Sequence, residues 1–171
     1  LTQPSVYPYA NLLAELVDSL TVDVHLGESL HQLLASGLRG LNQHHLPEHV
    51  GLLYAWRLLV VAGLAPLLDR CQTCGKEDQL SYFDSAAGGL SCTSCASGTL
   101  VGADVIDELR LLVALSAREA IATPPSDLAQ HWRLLGRYVS YHVAELHSLS
   151  ALLVSRPAPE SPLRLPVAAG S

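Results

Sequence analysis

The chain has 171 residues, 49% of them apolar but only 5% aromatic, with a net charge of −6 and a single lysine. That length buries one core with at most a small appendage, and its excess of leucine, alanine and valine is the composition of packed helices. The acidic balance excludes nucleic-acid binding through the bulk field of the chain. The longest apolar run, Leu58 to Leu68, is broken by Gly63 and Pro66 and is too short to span a bilayer.

In chain order, Tyr9, Leu12, Leu13, Leu16, Val17 and Leu20 fall on one face of a first helix. Leu26, Leu30, Leu33, Leu34, Leu38 and Leu41 predict a second. Pro47 suits the first turn of a third, with Val50, Leu53, Tyr54, Arg57, Leu58 and Val61 following before Gly63 and Pro66 end it. His44, His45 and His49 cluster just ahead of that helix. With no cysteine and only Glu48 among them, they read as solvated loop histidines rather than a second metal site.

Next come Cys71-Gln72-Thr73-Cys74 and Cys92-Thr93-Ser94-Cys95, which account for every cysteine in the chain. Two such pairs at this separation match a four-thiolate zinc site, because each tight turn aims two sulfurs at one point. Gly75 supplies the positive-φ corner. Leu80–Phe83 reads as a strand, Ala87-Gly88-Gly89 as a turn and Leu90-Ser91 as the return strand, so each end of the hairpin carries a pair. A closed shell of Cys71, Cys74, Cys92 and Cys95 leaves no open position for water, and one structural Zn2+ per chain is expected. Disulfides need an oxidising compartment, and no secretory signal is visible. Tyr82 and Phe83 read as cover for the hairpin's small core rather than as base-stacking groups.

Beyond the ribbon, Asp104 is positioned to cap a helix through Ile106, Leu109, Leu112, Val113 and Leu115. Thr123-Pro124-Pro125-Ser126 breaks the chain. A last long helix has Leu134, Leu135, Tyr138, His142, Leu146, Leu149 and Leu153 as its buried stripe, with His142 as a hydrogen-bonded core residue. Residues 157–171, rich in proline, are expected to form a disordered tail. The fold class is therefore mainly α, a helical bundle (1–67 and 101–156) with an inserted four-cysteine zinc ribbon (68–100).

No enzyme signature is present. HExxH is missing, Arg70 rather than proline precedes Cys71, no H-x-E occurs, and there is no P-loop or GxSxG elbow. No targeting segment is visible, which makes a cytoplasmic address the expectation. The first residue is Leu1 rather than methionine, as expected of a fragment or a processed chain.

Tyr54-Ala55-Trp56-Arg57-Leu58-Leu59, Ala62-Gly63, Pro66 and Cys71-Gln72-Thr73-Cys74-Gly75 together resemble the bacterial RecO family of recombination mediators. Gly88-Gly89 leading into Cys92-Thr93-Ser94-Cys95 fits the same pattern. So do Tyr9-Ala10-Asn11-Leu12-Leu13 near the start, and Arg137-Tyr138-Val139 with His142, Leu146 and Ser148 near the end. The resemblance covers nearly all of the chain except the tail. It implies the helical and zinc-bearing C-terminal region, without the N-terminal OB-fold through which full-length members bind DNA.

It also implies a non-enzymatic role in DNA repair and recombination, in the bacterial cytoplasm near the nucleoid. Such proteins act with RecR on DNA coated by single-stranded DNA-binding protein (SSB), let RecA load, and anneal strands. The family's helical region receives the acidic, apolar C-terminal tail of SSB, which requires an apolar pocket with a cation at its rim. Arg57 amid apolar residues, and Arg133 and Arg137 one turn apart, are the candidates here. Leu52 and Leu53 stand where the family carries basic residues. The bland alternative for Arg133 and Arg137 is a solvated face paired with Glu145 or Asp127. The alternative for the whole chain is a helical scaffold or regulator subunit that does not bind DNA and in which the ribbon staples a loop.

Overall fold

The computed structural model of the chain describes residues 4–21, 24–114 and 117–155. After a 3-10 turn at Pro4–Val6 come helices α1 (Tyr7–Leu20), α2 (Val24–Gln43) and α3 (Pro47–Val61). Three strands follow, β1 (Leu80–Asp84), β2 (Gly89–Cys92) and β3 (Thr99–Leu100). The chain then forms α4 (Ala103–Val113), α5 (Ala117–Ala122), α6 (Leu128–His142) and α7 (His147–Val154). The fold is thus mainly helical, with a small cysteine-bearing sheet between the third and fourth helices.

The core is organised around α3. Between His49 and Leu59 every residue of that helix except Arg57 is buried. It packs against α1, α2, α4, α5 and α6. The single apolar face read from its sequence is therefore too narrow, because a helix that is apolar all round is one that neighbours surround. Pro47 opens α3 in its first turn, as expected. Close approach of α1 depends on Gly51, where a Cβ would lie 2.8 Å from the Tyr9 ring. Tyr9 in turn stacks at 5.8 Å on Trp132 of α6, which is fully buried.

The sheet order is β2-β1-β3, with both pairings antiparallel; Phe83 opposes Leu90, and Tyr82 opposes Leu100. Leu67 bridges Gly89 from the approach segment, with hydrogen bonds Leu67 N–H to Gly88 O and Leu90 N–H to Leu67 O. Phe83 does not cover a private hairpin core. It enters the bundle, edge-on to Trp56 at 6.4 Å and tilted against Tyr138 at 6.0 Å. From the other side, the Arg110 guanidinium on α4 donates twice to Leu68 O at the root of the ribbon.

Several sequence expectations need correction. The last long helix is two helices. Val143 departs from helical geometry at φ −124°, ψ −82°, and α7 begins anew at His147. Glu15 of α1 stabilises that restart by accepting from His147 N–H and Ser148 N–H, both at 2.8 Å. Leu146, Leu149 and Leu153 keep helical spacing through the break, so periodicity conceals it. Asp104 lies inside the first turn of α4, and Gly102 occupies the cap position. Strand β3 and helix α5 are additions to the predicted elements. The proline-rich tail and Leu115 lie outside the described residues, as does the side chain of Leu26. Among the described residues no helix is long and apolar enough to cross a membrane.

Candidate metal centre and partner surface

The two cysteine pairs sit on matching turns. In the first, Gly75 N–H donates to Cys71 O, Cys71 N–H donates to Lys76 O, and Gly75 adopts φ 74°. In the second, Cys95 N–H and Ala96 N–H both donate to Cys92 O, and Ala96 occupies the same left-handed corner at φ 46°. A non-glycine residue there stores local strain that a stable neighbourhood must hold. Cys71 and Cys92 are buried, Cys95 is half-buried and Cys74 is exposed.

All four Sγ atoms lie within 4.8 Å of one another, and those of Cys74 and Cys92 are 3.6 Å apart. None is in a disulfide. A tetrahedral thiolate shell at about 2.3 Å from zinc spaces its sulfurs about 3.8 Å apart. The cluster fits that shell, and the soft donor set favours a soft or borderline metal ion. Without a metal, the thiols of Cys71, Cys92 and Cys95 are shifted in opposite directions. The backbone N–H groups of Cys74 and Cys92 lower the Cys71 thiol to about 6, and the Cys95 N–H lowers Cys92. The Cys74 and Cys92 thiols push Cys95 up to about 12. Crowded sulfurs resist becoming thiolates together, and a bound cation removes that conflict while releasing protons.

The histidines divide differently from the sequence expectation. His44 and His45 are exposed, but His49 is buried, with Nε2 at 2.7 Å from Ala120 O. Its first-turn position on α3 turns it inward, so it is not a solvated loop residue. His131 is fully buried and meets the Glu108 carboxylate at 2.9 Å, while Glu108 also accepts from Ser126 N–H. Among the described residues the second nitrogen, Nδ1, of both His49 and His131 is buried without a partner. No sequence signal singled out His131 or Glu108, which are far apart along the chain. His142 is half-buried, with its ring 4.3 Å from Tyr138 and Nε2 bonded to Ser85 O at 2.7 Å.

The three candidate arginines differ in setting. Arg57 is half-buried on α3, and burial pulls its pKa below the ordinary arginine range. Arg133 is half-buried on α6, and Arg137, one turn on, is exposed and donates to Thr99 Oγ1 at 2.7 Å. Among the described residues neither Arg133 nor Arg137 forms an ion pair with a carboxylate. Asp127, a suggested partner, instead caps α6 by accepting from Gln130 N–H. Arg137 lines two neighbouring clefts, one against the ribbon and one between α6 and α7, and Arg57 lines neither. Tyr141, Ser140 and Thr99 also line the ribbon cleft. Only the i, i+4 spacing of Tyr141 to Arg137 hinted at this in the sequence.

Comparisons with known proteins point to one family. The family model described as "Recombination protein O C terminal" matches residues 1–150. A "DNA repair protein RecO" of Desulfatibacillum aliphaticivorans is 29% identical over 150 residues, covering 80% of this chain and 57% of that protein. The protein of the same name from Syntrophomonas wolfei is 31% identical over 118 residues, covering 67% of this chain and 46% of its own length. One from Bifidobacterium longum is 35% identical over 92 residues, covering 52% and 37%. The chain spans about half the length of the curated relatives it matches. By the extent of the family match, this chain belongs to the RecO family and corresponds to its C-terminal region.

Proposed function

We propose that this chain is the helical, metal-bearing part of a DNA repair and recombination mediator. In this reading the whole protein acts with RecR on SSB-coated single-stranded DNA, allows RecA to load, and promotes strand annealing. It works in the bacterial cytoplasm near the nucleoid. The observation that carries the reading is the family match over residues 1–150 together with four cysteines gathered into one cluster.

The bundle, 1–67 and 101–156, serves as a protein-interaction scaffold, and the ribbon, 68–100, is an insertion folded by metal. Cys71, Cys74, Cys92 and Cys95 hold one Zn2+, which in a closed thiolate shell supplies structure rather than catalysis. No residue is assigned a catalytic role. Arg57, Arg133 and Arg137 are the basic residues offered to the SSB C-terminal tail, and contact with single- or double-stranded DNA belongs mainly to the OB-fold of a full-length protein.

Retention of this chain on SSB-coated single-stranded DNA tests the reading. We expect retention at low salt that disappears when the SSB lacks its C-terminal tail. Failure to be retained on intact SSB would remove the mediator role from this region. Metal analysis of the purified chain should return one zinc per chain, and its absence after purification without chelator would sink the zinc assignment.

A further inference from the structure

Where the ribbon meets α6, a cleft of about 410 Å3 opens between the β1–β2 turn and Gly98–Thr99 on one side and Arg137, Ser140 and Tyr141 on the other. A smaller pocket of about 190 Å3 lies next to it between α6 and α7, lined by Leu146, Leu149 and Leu153. Arg137 and Ser140 line both.

The groups facing the cleft are unequally occupied. Asp84 stands in the ribbon wall, but Ser97 and the N–H groups of Ala86 and Ala87 engage its carboxylate. Their hydrogen bonds, Ser97 first, hold it below the usual carboxylate range. Among the described residues it forms no ion pair with Arg137. Among the described residues the Arg137 guanidinium makes one hydrogen bond, to Thr99, out of a fork of five donors. Tyr141 is 66% exposed beside it. A planar cation with free donors, an aromatic ring and an adjoining apolar pocket are the parts that recognise a peptide's terminal carboxylate and last apolar side chain. A nucleic-acid strand fits less well, since its repeated phosphates would meet a single arginine and it offers no terminal carboxylate or last apolar side chain for the adjoining pocket.

The ribbon side of this cleft is tied to the cysteine cluster. Thr99 lies four residues after Cys95. The intervening Ser97 is held through its N–H and C=O by Ser91 Oγ, at 3.0 and 2.7 Å, and Ser91 adjoins Cys92. The partner that orients Arg137 is thus positioned by the second cysteine turn.

We propose that Arg137, oriented by Thr99, anchors the C-terminal carboxylate of a partner peptide at the ribbon–α6 junction, and that the site is competent only while the four cysteines hold their metal. This rests on the reading that an SSB tail docks on this chain, and it adds the place and the dependence on metal.

The test is fluorescence anisotropy of a labelled SSB C-terminal peptide, with a free or an amidated terminus, titrated with the metal-loaded chain at low salt. Amidation should weaken binding about tenfold or more, as should Arg137→Ala, and amidation should have no further effect in that variant. Tyr141→Ala and Thr99→Val should each weaken binding severalfold, whereas Glu145→Gln should strengthen it. Chelation should match Arg137→Ala while the far-ultraviolet helix signal persists. If chelation unfolds the bundle, Ser91→Ala in metal-loaded protein, which removes the hydroxyl that links Cys92 to Ser97, carries this arm and should weaken binding severalfold.

Binding abolished by Arg57→Ala or Arg133→Ala but unaffected by Arg137→Ala and by chelation would overturn the proposal and leave the tail reading intact. Displacement of the peptide from the cleft by a thymidine oligomer at equal concentration would overturn it in favour of nucleic acid. No saturable binding to the metal-loaded chain would instead remove the tail reading itself, and the proposal with it.

Discussion

The bundle and the ribbon achieve order by different means. The bundle surrounds one helix, α3, with apolar neighbours on every side, and its largest buried residues, Trp56 and Trp132, have no exposure at all. Between residues 68 and 100 the buried apolar side chains are Leu68, Phe83 and Leu90, apart from Cys71 and Cys92. Phe83 is given to the bundle rather than to the hairpin. A segment that cannot gather a core of its own needs a cross-link, and the cysteine cluster is placed to accept one. Hydrophobic burial therefore specifies the bundle, whereas the insertion has little of it and instead gathers four cysteines that could bind a metal ion.

The largest break in that contrast comes from the metal. Structural zinc in small thiolate sites contributes about 10 kcal/mol or more of apparent binding energy. Cys92→Ser should abolish amide protection through the ribbon, read by hydrogen exchange, while circular dichroism shows the helices largely retained. Loss of most helix signal would mean that the two regions fold as one.

Phe83→Ala tests the seam between them. Removing a buried phenylalanine costs about 3–5 kcal/mol, and here the cost should fall on both regions because the ring joins Trp56 and Tyr138. We expect one lowered melting transition together with faster exchange in the ribbon. A change confined to the ribbon would show that Phe83 docks without supporting the bundle.

Acid should sharpen the contrast from the bundle side. Burial depresses the His49 pKa below its ordinary 6.5, although backbone hydrogen bonds at Ala120 and Ile121 oppose this, and His44 and His131 add to the depression. A depressed histidine binds more protons unfolded, so its stabilising contribution is whole above about pH 6.5 and fades as pH falls below it. The structural cause is Nδ1, which has no acceptor among the described residues and would carry a buried, unsatisfied N–H when protonated. Between pH 7.5 and 5 the parent should lose more melting temperature than His49→Gln. Equal slopes would exclude His49 as the cause.

The smallest effect expected is that of Glu15→Gln. Burial raises the Glu15 pKa, but the Ser148 and His147 N–H groups outweigh it and hold the carboxyl below its ordinary range. Losing this charged cap should cost about 1 kcal/mol, seen as a shifted denaturant midpoint at pH 7 that shrinks as pH falls below the ordinary carboxylate value of 4.5. An unchanged midpoint at pH 7 would make the contact incidental.

Much of this was legible in the chain because local rules wrote it. The cysteine turns, the proline that opens α3 and the leucine spacing of α1 are decided within a few residues. What stayed hidden was decided at long range. The break after His142 depends on Glu15, far upstream, while the leucines keep their period across it. His49 appeared exposed because its neighbours His44 and His45 are, yet α5 covers it through Ala120 O. Strand β3 spans two residues, too few to show alternation, and owes its pairing to β1. The cleft at Arg137 needed both the ribbon and α6 in place.

The carboxylate that caps α7 also bears on the order of synthesis. Glu15 emerges from the ribosome 132 residues before His147 and 133 before Ser148, its two partners. Throughout translation α1 can collect α2 and α3, but the N–H groups that will occupy Glu15 do not yet exist. The bundle is thus closed from its C-terminal end, and a chain cut short before His147 would leave Glu15 and the neighbouring face of α1 open to other proteins.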